Sequence, residues 1–168
     1  MGDFMNKDKI SLEELYYVLM SSWIYSIEKT REELFGEDIA YNKRIGWNAA
    51  EYIVKRLDPK CLKDVKKETS FETLRSIIKC LEDIGFIKTG AVTVKQDKNV
   101  LSIEITNCAA EACKELVRNG IMPQACLRSI ILDGMLELIT DKEYAYKRSA
   151  NPESQPFGVC ITYLSELE

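Results

Sequence analysis

Six cysteines and no histidine set the chemistry this chain can carry. Cys108, Cys113, Cys126 and Cys160 lie in the second half of the sequence, spaced Cys-x4-Cys-x12-Cys-x33-Cys. No pair has the Cys-x2-Cys spacing of a zinc ribbon. Four thiolates can still close a tetrahedral shell around one zinc, the geometry of structural zinc sites. Buried, inert thiols are the other reading of the same residues. Cys61 and Cys80 fall in or beside helical segments, and Cys80 sits between apolar positions, as a core thiol does. Without histidine there is no Ser–His–Asp triad, no Cys–His dyad, no histidine-ligated haem and no zinc site that uses imidazole.

The remaining reactive residues form no clear constellation. Glu13-Glu14, Glu32-Glu33 and Glu37-Asp38 are sequence neighbours, which reads as solvated faces and caps. Glu104 and Glu111 flank Cys108 and offer it a carboxylate; solvent exposure is the simpler account. Gly85, Gly90 and Gly120 belong to no phosphate-binding motif. Tyr16, Tyr17, Trp23, Tyr25 and Trp47 concentrate on the first two helical segments, where they either pack a core or line an apolar cavity. With 27 acidic and 23 basic side chains the net charge is −4, which argues against an electrostatic nucleic-acid binder. Charge interrupts every apolar stretch before the roughly 18 residues of a membrane span. The leading MGDFMNKDK has no apolar secretory core, so the expectation is a cytoplasmic protein whose cysteines are not a disulfide framework.

The elements that must position these residues follow from periodicity. Residues 1–10 read as a flexible lead and 11–168 as a single domain. Ser11 and Glu14 form a capping box, and Leu12, Leu15, Tyr16, Leu19, Met20, Trp23, Ile24 and Ile27 follow at steps of three and four. This predicts an amphipathic helix that stops near Phe35-Gly36, with a stripe wide enough to predict a dimer in which it takes part. A second helix is predicted over residues 39–57, ended by Pro59; its small residues Gly46, Ala49 and Ala50 admit close approach of a helix or a ligand. A charged stretch, 60–68, leads to a third helix capped by Thr69 or Ser70 and ended by Gly85. The period then changes to two over 86–95 and 100–106, which predicts a hairpin with one wet face. A short helix over 109–118 follows, then a fifth opened by Pro123, and two strands over 142–148 and 157–164. In the last strand Cys160 points away from the face of Phe157, Val159 and Ile161. The order ααα-ββ-αα-ββ predicts an α+β fold, with N-terminal helices packed on a four-stranded antiparallel sheet.

From Ile39 onward the chain resembles the 4-vinyl-reductase-type small-molecule-binding domain. That family shares its fold with subunits of the TRAPP vesicle-tethering complex and with nitric-oxide-signalling ligand-binding domains. The resemblance is carried by IGWNAAEYIVKRL, by the hairpin ending IEITNC, by CLRSIILDGMLELITDKEYAYKR and by FGVCITY. The histidine-free style, rich in Lys, Glu and Ile, is similar to the archaeal branch. It implies an α+β fold that dimerises and a hydrophobic pocket between helices and sheet. It does not imply a reductase. In metal-binding members a zinc is held by the helix cysteine, a Glu-x-x-Cys pair in the last loop and the closing-strand cysteine. Cys126 and Cys160 match the first and last of these, but the middle pair falls at Ser149 and Pro152, which do not ligate. The site is then either lost or rebuilt with Cys108 and Cys113.

Three functional expectations follow. The first is a module that binds a small hydrocarbon, aromatic or tetrapyrrole-like molecule between helices and sheet. Small residues there leave room, so the expected lining is Gly46, Ala49, Ile130, Gly134 and Leu138. A structural zinc on Cys108, Cys113, Cys126 and Cys160 belongs to this expectation. The second is a TRAPP-like scaffold whose cavity is filled. The third, a thiolate- or metal-dependent enzyme, has the least support, since no catalytic motif occurs.

Overall fold

The computed structural model describes residues 12–36, 39–57, 59–106, 111–121, 123–149 and 159–167. Helices α1 (Leu12–Phe35), α2 (Ala40–Val54), α3 (Pro59–Leu62) and α4 (Ser70–Asp83) precede strands β1 (Val92–Asp97) and β2 (Val100–Ile105). Helices α5 (Glu111–Arg118) and α6 (Leu127–Thr140) and strands β3 (Tyr144–Arg148) and β4 (Cys160–Glu166) follow. The four strands form one sheet in the order β1-β2-β4-β3, with every neighbouring pair antiparallel. The protein is α+β, as its periodicity predicts.

One face of the sheet supplies most of the core. Cross-strand partners share a face, so Ile103 stands opposite Thr162, Leu101 opposite Leu164 and Ile105 opposite Cys160, all buried. Tyr144 and Tyr146 continue that layer on β3. Ser102 and Glu104 look the other way and are half-buried, the wet face expected of the hairpin. Helices α4 and α6 lie against the sheet, α2 packs on the outside of α6, and α1 packs on α5. Of the N-terminal helices, then, α4 reaches the sheet; α2 is a layer further out. α6 is central and apolar almost all round, with Ile130, Leu132, Met135 and Leu136 buried.

Local signals account for most boundaries. Thr69 caps α4, its Oγ1 accepting from the Glu72 N–H at 3.2 Å, and Gly85 ends that helix at φ 76°. Gly120 closes the turn after α5 at φ 73°. A two-residue turn, Lys98-Asn99, joins β1 to β2. Three expectations are corrected. The charged stretch after Pro59 begins with a short helix, α3. Residues 86–91 form no strand, because Phe86 and Ile87 turn back to hydrogen-bond the Leu81 carbonyl. Pro123 does not open α6, which starts four residues later with Cys126 as its N-cap. In β4 Cys160 points away from Ile161, as expected, and the register with β2 buries the face of Cys160, Thr162 and Leu164 against the layer of Ile105, Ile103 and Leu101. Ser11, residues 1–10, Cys108 and the 150–158 connection lie outside the described residues.

Cys61 and Cys80 are joined in a disulfide between α3 and α4, with Cα atoms 5.5 Å apart. This corrects the expectation that Cys80 is a core thiol. Residue types alone did not show that α3 would carry Cys61 back onto α4.

Candidate functional site

A cavity of about 240 Å³ lies where α1, α2, α5 and the segment leading into α6 converge. Met20, Ile24 and Ile27 of α1 face Ile45 of α2, and Ala125, Leu127 and Ile130 close the α6 side. These positions on α1 recur at three- and four-residue steps, so one stripe of the helix faces the cavity. Polar atoms enter at Ser21, Glu28, Asn42, Arg128, Cys113 and Cys126. Mostly apolar walls with a few polar groups are the usual make-up of a small-molecule site.

A charged pair continues the same stripe, and of the two Glu28 borders the cavity. Glu28 and Arg31 follow Ile24 and Ile27 in helical phase, and both are buried, Arg31 completely. Arg31 Nε donates to Glu28 Oε2 at 3.2 Å, and Asn42 Nδ2 donates to Glu28 Oε1 at 3.1 Å. Arg31 also donates to the Gly36 carbonyl and to Glu32. Burial pushes the Glu28 carboxyl above the usual range, and the charge and hydrogen bond of Arg31 work against that rise.

Side chains from α1 and β3 pin the segment before α6. Arg148 Nη1 donates to the Pro123 carbonyl at 2.7 Å, the Gln124 N–H donates to Glu28, and the Cys126 N–H donates to the Tyr146 hydroxyl at 3.0 Å. Ser129 Oγ sits 2.7 Å from Tyr146 Oη and 2.9 Å from Thr162 Oγ1, which satisfies these hydroxyls in the core. Burial raises the Tyr146 phenol, as does the nearby Cys126 sulfur. A second buried charge group ties α2 to α6, where Lys43 Nζ lies 2.7 Å from Glu137 and 3.5 Å from Asp133.

No family model and no curated protein matches this chain. What the molecule does must therefore be read from its own geometry.

The structure rearranges the expected site. Of the five expected lining residues, only Ile130 borders the cavity. Gly46 and Gly134 lie in the α2–α6 contact: a Cβ on Gly46 would meet the Ile130 carbonyl oxygen at 2.7 Å, and one on Gly134 the Trp47 Cα at 2.9 Å. Their smallness admits a helix, not a ligand. Ala49 and Leu138 are partly buried elsewhere on the same two helices. The cavity opens instead one layer outward, between α1 and the start of α6.

Zinc is corrected as well. Among the described residues, no three Cys, Asp or Glu side chains gather as a metal-binding group. A cation of the protein's own stands beside one of the expected ligands, Cys160. Arg148 Nη2 lies 3.5 Å from Cys160 Sγ. Burial works against the Arg148 charge, and the sulfurs of Cys160, Cys126 and Cys113 together outweigh it, raising its pKa. A guanidinium beside Cys160 Sγ repels a divalent ion.

Glu28, Arg31, Asn42 and Arg148 are the residues that sequence reasoning missed. A signal existed for two: Glu28 and Arg31 continue the apolar stripe of α1, where a charge calls for a buried partner. Two other depressions carry less. A wide open groove over Cys61 and Cys80 has walls of mixed sign, with Lys66, Lys67, Arg75 and Lys79 beside Glu68, Glu72 and Asp83. A polar notch at Ser70, Tyr144 and Glu166 is occupied by its own hydrogen bonds. No described helix is long and apolar enough to cross a membrane.

Proposed function

We propose that this protein is a binding module for a small hydrophobic molecule, held in the cavity between α1, α2, α5 and α6. The observation that supports this reading is the cavity itself, with Ile24, Ile27, Ile45 and Ile130 around it and polar groups confined to its edges. Its volume exceeds the ~150 Å³ that accommodates benzene in an engineered apolar cavity. It falls below the range usual for drug-sized ligands. A hydrocarbon or a one- or two-ring aromatic suits it, and a tetrapyrrole does not. The resemblance to 4-vinyl-reductase-type domains from Ile39 onward points the same way. A disulfide such as Cys61–Cys80 persists inside cells of hyperthermophilic archaea.

The proposal includes a homodimer. Val18, Leu19, Met20 and Trp23 are all about half exposed or more on α1, beside the cavity mouth at Met20 and Ser21. Burial of such a stripe against a second copy removes it from water. The same stripe also favours the competing reading, a TRAPP-like scaffold in which contact with another protein is the function.

Native mass spectrometry of freshly purified protein separates the two. A copurified small molecule, or uptake of added naphthalene that is lost in an Ile27→Trp variant, supports the binding module. A dimer that takes up nothing supports the scaffold, and a monomer at tens of micromolar removes the dimer.

A further inference from the structure

Two cysteines line the cavity. Cys113 comes from α5, and Cys126 stands at the N-cap of α6, where its side chain makes no capping hydrogen bond. The backbone of Cys126 is held firmly: its N–H donates to the Tyr146 hydroxyl, and its carbonyl accepts from the Ile130 N–H at 2.9 Å and from Ser129 Oγ at 3.1 Å. Positive potential reaches this wall from two sources, the N-terminus of the 14-residue α6 and the half-buried Arg148 guanidinium. Cys126 is only 3% exposed, so its sulfur is approached through an apolar chamber rather than from bulk water.

We propose that this wall is a covalent modification site for small apolar electrophiles of the α,β-unsaturated carbonyl class, with Cys126 as the residue that bonds. This rests on the cavity's being a binding site. In the step, the Cys126 sulfur forms a bond to the β-carbon of the electrophile and the C=C π bond is lost. Its electron pair moves onto the carbonyl as an enolate, and the thiol proton ends on the α-carbon. No oxidant or reductant is consumed. The α6 N-terminus and Arg148 favour the negative charge that passes from sulfur to enolate. The apolar walls around Ile24, Ile27 and Ile130 select reagents without charge.

The test uses the full chain with trans-cinnamaldehyde as the neutral electrophile and iodoacetate as a charged one, followed by intact-mass measurement and peptide mapping. The expected result is a single cinnamaldehyde adduct on Cys126, retained in Cys113→Ser and lost in Cys126→Ser. Relative to the reactivity of both reagents with free glutathione, cinnamaldehyde is favoured at Cys126 by about tenfold or more. Mapping of the wild-type protein alone keeps the idea open to refutation even where a variant fails to fold. Adducts on Cys113 or Cys108 instead, adducts spread over several cysteines, or modification only in urea would overturn it. Hydrocinnamyl alcohol, a saturated analogue of the same shape, separates the two levels. If it raises the melting temperature while cinnamaldehyde leaves Cys126 unmodified, the covalent site falls and the binding module stands. If neither reagent acts, both fall.

Discussion

Gly134 of α6 lies directly against Gly46 of α2, so that a Cβ on Gly134 would stand 3.0 Å from the Gly46 carbonyl oxygen and equally close to the Ala50 Cβ. Such contact with backbone leaves no side chain to swing aside. The two helices can approach only while both residues lack a Cβ.

Alanine at either position is therefore expected to destabilise the protein. In an open helix Gly→Ala stabilises by roughly 0.5–1 kcal/mol. Here the overpacking cost of roughly 1–3 kcal/mol opposes and exceeds it. Urea unfolding of Gly46→Ala and Gly134→Ala, compared with the exposed control Asn48→Ala, reads the sign. A gain in stability at either glycine would contradict the close contact.

Asp133 predicts a pH dependence. Burial pushes its carboxyl from 3.8 up to about 7, with Lys43 opposing and Glu137 reinforcing the rise. One carboxyl oxygen has no hydrogen-bond partner. Between pH 4 and 7 the folded state thus holds a proton that the unfolded chain has released. Stability from this group is complete below pH 4 and is lost as pH rises through 7. The loss is on the order of 2–4 kcal/mol. Glu28, also raised by burial, adds in the same direction. Denaturation at pH 5 and pH 8 is expected to show the less stable protein at pH 8. Asp133→Asn is expected to flatten that difference, and an unchanged slope in the variant would refute the assignment.

Arg31 is fully buried beside Glu28, and removing its charge leaves a buried carboxylate without its cation. Arg31→Met is expected to cost about 3–5 kcal/mol. The double variant Glu28→Met with Arg31→Met should recover much of that loss, since the penalty belongs to the unpaired charge. Thermal melts of the single and double variants measure the difference.

The Cys61–Cys80 disulfide spans 19 residues. Closing a loop of that length stabilises by roughly 3 kcal/mol through the unfolded state. Reduction with a dithiol, or Cys61→Ser, is expected to lower the urea midpoint accordingly while leaving the slope of the native baseline intact. Equal midpoints with and without reductant would show that the bond contributes nothing.

Periodicity and punctuation made the architecture legible. The period of two over 100–106 announced a hairpin with one wet face, and Thr69 and Gly85 marked the ends of α4. These signals are local, because a cap or a pleat is decided within a few residues of chain. The position of the cavity was not local. Small residues at Gly46 and Gly134 announced a close approach, and the sequence could not say whether a helix or a ligand would make it. The β2–β4 register put Cys160 in the core and Ile161 outside, and no pattern within β4 alone could choose between those faces. The pairing of Glu28 with Arg31 and Asn42, and the place of Arg148 between Cys160 and the Pro123 carbonyl, depend on how α1, α2, the sheet and the start of α6 meet. A charge read in sequence is exposed or buried only once a partner from another element stands beside it. For that reason the thiols were visible as candidates in the sequence, and only the packed structure showed that a guanidinium stands beside Cys160.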